Sequence, residues 1–193
     1  PLPADTAPQY LSIPDARQAV VAVSGTIIPP THPDYLPLAV ANDILAGFGM
    51  QGRLGRHLRE ERALVYSVNS TLATFQGPGM WSFACATAPK NAGQALDALH
   101  AELARFRQHP VSAQELEDSI SSMLGAEAFR FADNHGVASS LLELERFAYP
   151  LDYYTRLPAL VRAVTAEDVL RVAQTYLAPE RLVSVVALPE EGG

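Results

Sequence analysis

Two β-rich segments, residues 64–75 and 80–87, flank Gln76-Gly77-Pro78-Gly79. A turn of that composition joins neighbouring antiparallel strands, so the chain is committed to a sheet that contains a hairpin. On the return strand Trp81, Phe83 and Cys85 alternate with Ser82 and Ala84, which puts the three on one face and predicts that face as core. Residues 17–28 are rich in β-branched side chains and read as a buried strand ended by Pro29-Pro30. Residues 182–188 read as a closing strand.

Between these strands the apolar period lengthens to that of helices. Residues 34–46 place Leu38, Ala41, Ile44 and Leu45 at helical spacing, with Gly47-Phe48-Gly49 as a stop. A second helix, 51–61, turns Leu54 and Leu58 inward and sends Arg53, Arg56 and Arg59 to other sides. After the hairpin, Pro89 suits the first turn of a helix running to His109. Ser112-Ala113-Gln114-Glu115 is a capping box that opens a long helix with Leu116, Ile120, Met123 and Leu124 on its inner stripe. Further helices are expected at 134–148, 152–162 and 166–177, the last capped by Thr165 with Asp168 in its first turn. The order predicts an α+β domain over residues 13–193: a mainly antiparallel sheet with helices packed on one face. Residues 1–12 begin Pro1-Leu2-Pro3 and reach Pro8 before any periodic segment, so they read as a linker of polyproline character. That start suggests a piece of a longer protein cut at a domain boundary, with a processed mature terminus as the other reading. Glu190-Glu191-Gly192-Gly193 reads as a solvated tail.

Composition removes several function classes. A net charge of −7, with thirteen arginines and one lysine that form no basic cluster, argues against a nucleic-acid partner. Cys85 is the sole cysteine, so no internal disulfide framework exists, and cytoplasm and periplasm both stay open. No apolar run approaches the roughly 18 residues of a membrane span. The histidines are His32, His57, His100, His109 and His135, and none stands in a His-x-x-Glu-His or His-Glu-x-x-His arrangement, so no metal site is expected in this chain. His57 reads as a surface residue and His135 as the mark of a helix break. Ser24 and Ser67 lack a nucleophile elbow, burial is expected to leave Cys85 inert, and the glycine pairs are too sparse for a phosphate cradle.

The run Leu58 to Val68 carries the remaining chemistry. A cationic helix ends, a strand begins, and Arg59 and Tyr66 lie seven residues apart across the join. Arginine offers a rigid fork of donors that never loses its charge, and a tyrosine hydroxyl can meet an oxygen as negative charge develops on it. On the residues alone two readings stand. In one the pair converges on a peptide carbonyl; in the other Arg59 pairs with Glu60, Glu61 or solvent and Tyr66 caps the core.

Asp43-Ile44-Leu45-Ala46-Gly47-Phe48-Gly49-Met50, then Arg53-Leu54 and Leu58-Arg59-Glu60-Glu61 leading to Leu64-Val65-Tyr66-Ser67-Val68, resembles the C-terminal, metal-free domain of the pitrilysin/insulysin-type zinc peptidases. The bacterial members similar to mitochondrial processing peptidase match best, and the likeness covers residues 13–188. It implies a clamshell of two homologous α+β domains, on one chain or two. The partner domain or subunit bears the zinc and the His-x-x-Glu-His motif, and an extended peptide is the substrate. It further implies that Arg59 holds substrate backbone and Tyr66 stabilises the oxyanion, while this chain alone cuts nothing and needs no cofactor of its own. Without that partner an uncovered docking face would favour self-association into a homo-oligomer. Gly52 stands where a serine commonly precedes the Arg53-Leu54 pair, and Ala63 replaces the glycine usual three residues before the tyrosine. The alternative is a non-catalytic scaffold or peptide-binding subunit of the same fold.

Overall fold

A computed structural model describes residues 6–47 and 51–190. In chain order the strands are β1 (Gln9–Ile13), β2 (Ala19–Ile27), β3 (Val65–Ala73), β4 (Gly79–Thr87) and β5 (Leu182–Pro189). The helices are α1 (Tyr35–Asn42), α2 (Arg53–Gly55), α3 (Ala92–Phe106), α4 (Ala113–Glu127), α5 (Asn134–Phe147), α6 (Tyr153–Arg162) and α7 (Ala166–Tyr176). Both α1 and α2 run on into π-helical turns, Asp43–Gly47 and Arg56–Glu61 respectively.

The five strands form one sheet in the order β1-β5-β2-β4-β3. Every ladder is antiparallel except that of β1 with β5. Alternation decides the two faces. Ala19, Val21, Val23 and Ile27 of β2, Trp81, Phe83 and Cys85 of β4, and Leu182 and Val186 of β5 are buried in one core. Leu38, Leu99, Leu103, Val169 and Val172 come down on them from α1, α3 and α7. Trp81 completes its burial by donating its indole N–H to Asn42 Oδ1 at 2.9 Å, since a buried ring N–H needs an acceptor. The α+β architecture therefore holds, with helices on one face. Ser112 and Thr165 close the expected capping boxes with Glu115 and Asp168.

The other face of the sheet carries Val20, Ala22, Ser24, Met80, Ser82, Ala84, Ala86, Val183, Val185 and Ala187, and no charged side chain of the described strands stands on it. No described helix packs against it.

β1 was not expected. Residues 9–13 fall at the end of the segment read as a linker, yet they pair with Val185–Pro189 in parallel register. All five are exposed, so no period of burial marks them as a strand; the main-chain ladder on β5 is what makes them one. The first five linker residues, Phe48 to Met50 of the expected helix stop, and the last three tail residues lie outside the described residues.

Candidate functional site at the join of α2 and β3

The helix that bears Arg59 is anchored from three sides. Leu54 and Leu58 are fully buried. Arg53 donates from Nε and Nη2 to the two carboxylate oxygens of Glu115 at 2.7 and 2.9 Å, and its guanidinium stacks 5.0 Å from the ring centre of Phe106. That fork holds the Glu115 carboxyl at about 2, far below its ordinary value, against the opposing pull of burial. His57, expected at the surface, is a correction. Only 12% of its side chain is exposed, since it flanks the buried Leu54 and Leu58 where α3 packs, and Nδ1 lies 3.1 Å from Glu61. Nearby on α3, Glu102 is wholly buried 2.6 Å from Arg105, and burial pushes its carboxyl up against the pull of that cation. Only the inward helical position of residue 102, between Leu99 and Phe106, hints at this in the sequence.

Arg59 sits in the last turn and is exposed. Among the described residues it makes no ion pair, and Glu61 is engaged by His57 instead. The chain then reverses at Ala63, whose φ of 51° is left-handed. Its N–H reaches the Arg59 carbonyl at 2.9 Å, and the Leu64 N–H reaches that of Leu58 at 2.9 Å. Here the departure from the family's glycine has a physical consequence, because alanine carries a Cβ into a region that glycine enters freely. The other departure also has one. A Cβ on Gly52 would stand 2.5 Å from the Leu45 carbonyl oxygen, so a serine there has no room. Beyond Ala63, the Thr87 hydroxyl donates to the Leu64 carbonyl at 2.5 Å and fixes the start of β3 on β4.

Tyr66 enters next, at a β-bulge. Val65 pairs with Thr87 and Ser67 with the adjacent Ala86, which leaves Tyr66 opposite no residue. Val65 and Val68 are both buried and the two residues between them are both exposed. The extra residue thus turns Tyr66 outward on the uncovered side, with 55% of its surface open. Tyr66 does not cap the core, and its hydroxyl makes no hydrogen bond among the described residues. Both residues singled out in the sequence are therefore accessible and unpaired on consecutive elements. No group of three or more His, Cys, Asp or Glu among the described residues is placed to hold a metal ion.

The family described as the peptidase M16 inactive domain matches residues 1–123. The uncharacterized zinc protease YmxG of Bacillus subtilis is 30% identical over 95 residues, covering 49% of this chain and 23% of that protein. A peptidase M16 inactive domain from Pseudomonas fluorescens superposes with a TM-score of 0.86 at 23% identity, over 95% of this chain and 44% of that one. An inactive peptidase domain from Bordetella parapertussis gives 0.80 at 26% identity, over 95% of this chain and 96% of that one. The chain spans less than a quarter of the curated relative and under half of the Pseudomonas chain, but nearly all of the Bordetella domain.

Proposed function

This chain belongs to the peptidase M16 inactive domain family, and we propose that it is the substrate-holding half of a zinc metalloendopeptidase whose metal ligands lie on a homologous domain. The observation that carries this reading is the bulge at Tyr66. It brings out a phenol with an unoccupied donor on the strand that follows the exposed, unpaired Arg59, at the edge of a sheet face opposite the helical layer of the described residues.

A zinc ion held by the partner domain would supply Lewis acidity toward the substrate carbonyl and an activated water. The residues of this chain act on the same amide from the opposite side. The Arg59 fork donates to main-chain carbonyls of the substrate and holds the peptide in register. The Tyr66 hydroxyl donates to the scissile carbonyl oxygen, and that hydrogen bond strengthens as negative charge collects there. β3 is an edge strand whose outward main-chain groups pair with no other described strand, a ready ladder for an extended peptide. The uncharged sheet face takes the zinc-bearing domain, since leaving Val20, Met80, Leu11 and Ile13 in water forgoes their burial.

The test is Tyr66→Phe in the complete enzyme. The kcat is expected to fall roughly 10²–10³-fold while zinc content is unchanged. Undiminished turnover would refute the assigned role.

A further inference from the structure

Of its 14 residues α5 buries only Ser140 and Leu144. One side of the helix is tied down through Glu143, which accepts from Arg130 Nη1 at 3.1 Å and from the Tyr154 hydroxyl at 2.9 Å. Away from Glu143, Leu141 and Leu142 are 58% and 70% exposed, and Val137 is exposed with them. Beside Val137 and Leu141 lies a groove of about 310 Å³ that Phe131 and Leu151, both exposed as well, help to line. Single apolar side chains on a surface are ordinary, but a contiguous patch that no described residue covers marks a contact face.

Asn134, Ala138, Leu141 and Glu145 recur at helical spacing and share one face of α5, with Val137 and Leu142 flanking it on either side. All of them are exposed. The stripe has the same character read in either direction: a polar residue at each end and apolar residues within, symmetric about the bond between Ser139 and Ser140. A surface of that symmetry complements itself when a second copy lies antiparallel across it, which is the condition for a two-fold interface. In that register Leu142 of each copy packs on Ala138 of the other, whose small side chain admits it, and Leu141 meets Val137. Glu145 comes to Asn134 at the amino end of the other helix, where a negative charge is favoured. The two grooves fall on the same side of the pair.

We propose that two copies of this chain associate through α5 in an antiparallel, two-fold pair centred on Ser139 and Ser140. Contacts limited to one helix face and the groove beside it bury less than the roughly 1,200–2,000 Å² of standard stable interfaces, so the pair is a weak one that forms at micromolar concentrations and above. The site is independent of the peptidase reading, since none of its residues belongs to the join or to the uncovered sheet face.

The experiment follows the 193-residue chain by sedimentation velocity across micromolar concentrations. A monomer–dimer equilibrium is expected, weakened at least tenfold by Leu142→Glu and left nearly unchanged by Val20→Glu on the sheet face, with both variants folded by circular dichroism. Residue 138 lies beside its own image in the pair, and Cys85 is buried, so Ala138→Cys should form a disulfide-linked dimer on mild oxidation much faster than Ser121→Cys on α4. A chain that stays monomeric, a dimer that folded Leu142→Glu leaves intact, or Ala138→Cys cross-linking no faster than Ser121→Cys would each overturn the proposal. Dissociation by Val20→Glu alone would move the interface to the sheet face and overturn it equally. Protection of Leu142 only on adding the separately produced zinc-bearing domain would give the stripe to that domain, with the same result. The cross-linking comparison decides the matter if Leu142→Glu does not fold.

Discussion

Tyr66 and Ser67 are consecutive residues of one strand, yet both are exposed between the buried Val65 and Val68. A regular strand sends neighbours to opposite faces, so one of the two would lie in the core. The bulge removes that conflict, and it does so at the start of the edge strand where the proposed chemistry needs a phenol in the open.

Arg59 and Tyr66 are expected to fail differently. If Arg59 holds the peptide in the ground state as well as the transition state, Arg59→Leu in the complete enzyme raises KM more than it lowers kcat. A charged hydrogen bond of about 1.5–3 kcal/mol corresponds to roughly a 10- to 100-fold loss in kcat/KM. Steady-state kinetics on a fluorogenic peptide separates this from the kcat defect of Tyr66→Phe. Equal effects on both parameters would remove the distinction between the two roles.

The turn that joins them stores strain at Ala63. An L-residue in the left-handed region costs roughly 1–2 kcal/mol, and glycine costs about 0.5–1 kcal/mol in chain entropy. Ala63→Gly should therefore stabilise the domain by about 0.5 kcal/mol, visible as a small rise in the denaturant midpoint at unchanged m. Gly52→Ser should act the other way. A better N-cap is worth only about a few tenths of a kcal/mol, against roughly 1–3 kcal/mol for forcing a Cβ against the Leu45 carbonyl.

The Arg53–Glu115 fork makes stability depend on pH in a defined window. Glu115 titrates at about 2 when folded, against an ordinary 4.5, so its contribution is complete above pH 4.5 and lost as pH falls towards 2. Glu115→Gln should cost about 2 kcal/mol at pH 7, from the lost charged hydrogen bonds and a weakened capping box. Denaturation at several pH values should show that gap closing below pH 4.5. A gap that stays constant down to pH 2 would mean the carboxylate charge is irrelevant.

A charge on the uncovered sheet face separates folding from assembly. Val20 is 45% exposed, so Val20→Glu should change the stability of the isolated chain by less than about 1 kcal/mol. Its association with a zinc-bearing domain should weaken at least tenfold, because an unpaired carboxylate would be buried there. Sedimentation of the two separately produced halves measures this, and unaltered association would place the partner elsewhere.

Features carried by neighbouring residues were legible in advance. The hairpin at Gln76–Gly79, the core face of Trp81, Phe83 and Cys85, and the capping boxes at Ser112 and Thr165 all depend on residues within a few positions of each other. The join was legible in the same way, as a cationic helix end running into a β-branched strand. His57 was misread because a helical period puts it only on the flank of the Leu54 and Leu58 stripe, and whether a flank is covered depends on α3, which packs there from far along the chain.

The sequence by itself determined where most strands and helices lie, which strand faces are apolar, and which arginine and tyrosine flank the join. Only the tertiary structure decided that residues 9–13 become a strand, that Tyr66 turns outward, and that Arg53 closes on Glu115. In each case the partner is distant along the chain: Val185 for Gln9, Thr87 and Ala86 for the residues around the bulge, and Glu115 for Arg53. Local patterns encode a segment's period and its ends, whereas register and convergence are set by whichever long-range pairing buries the most apolar surface with its backbone groups satisfied.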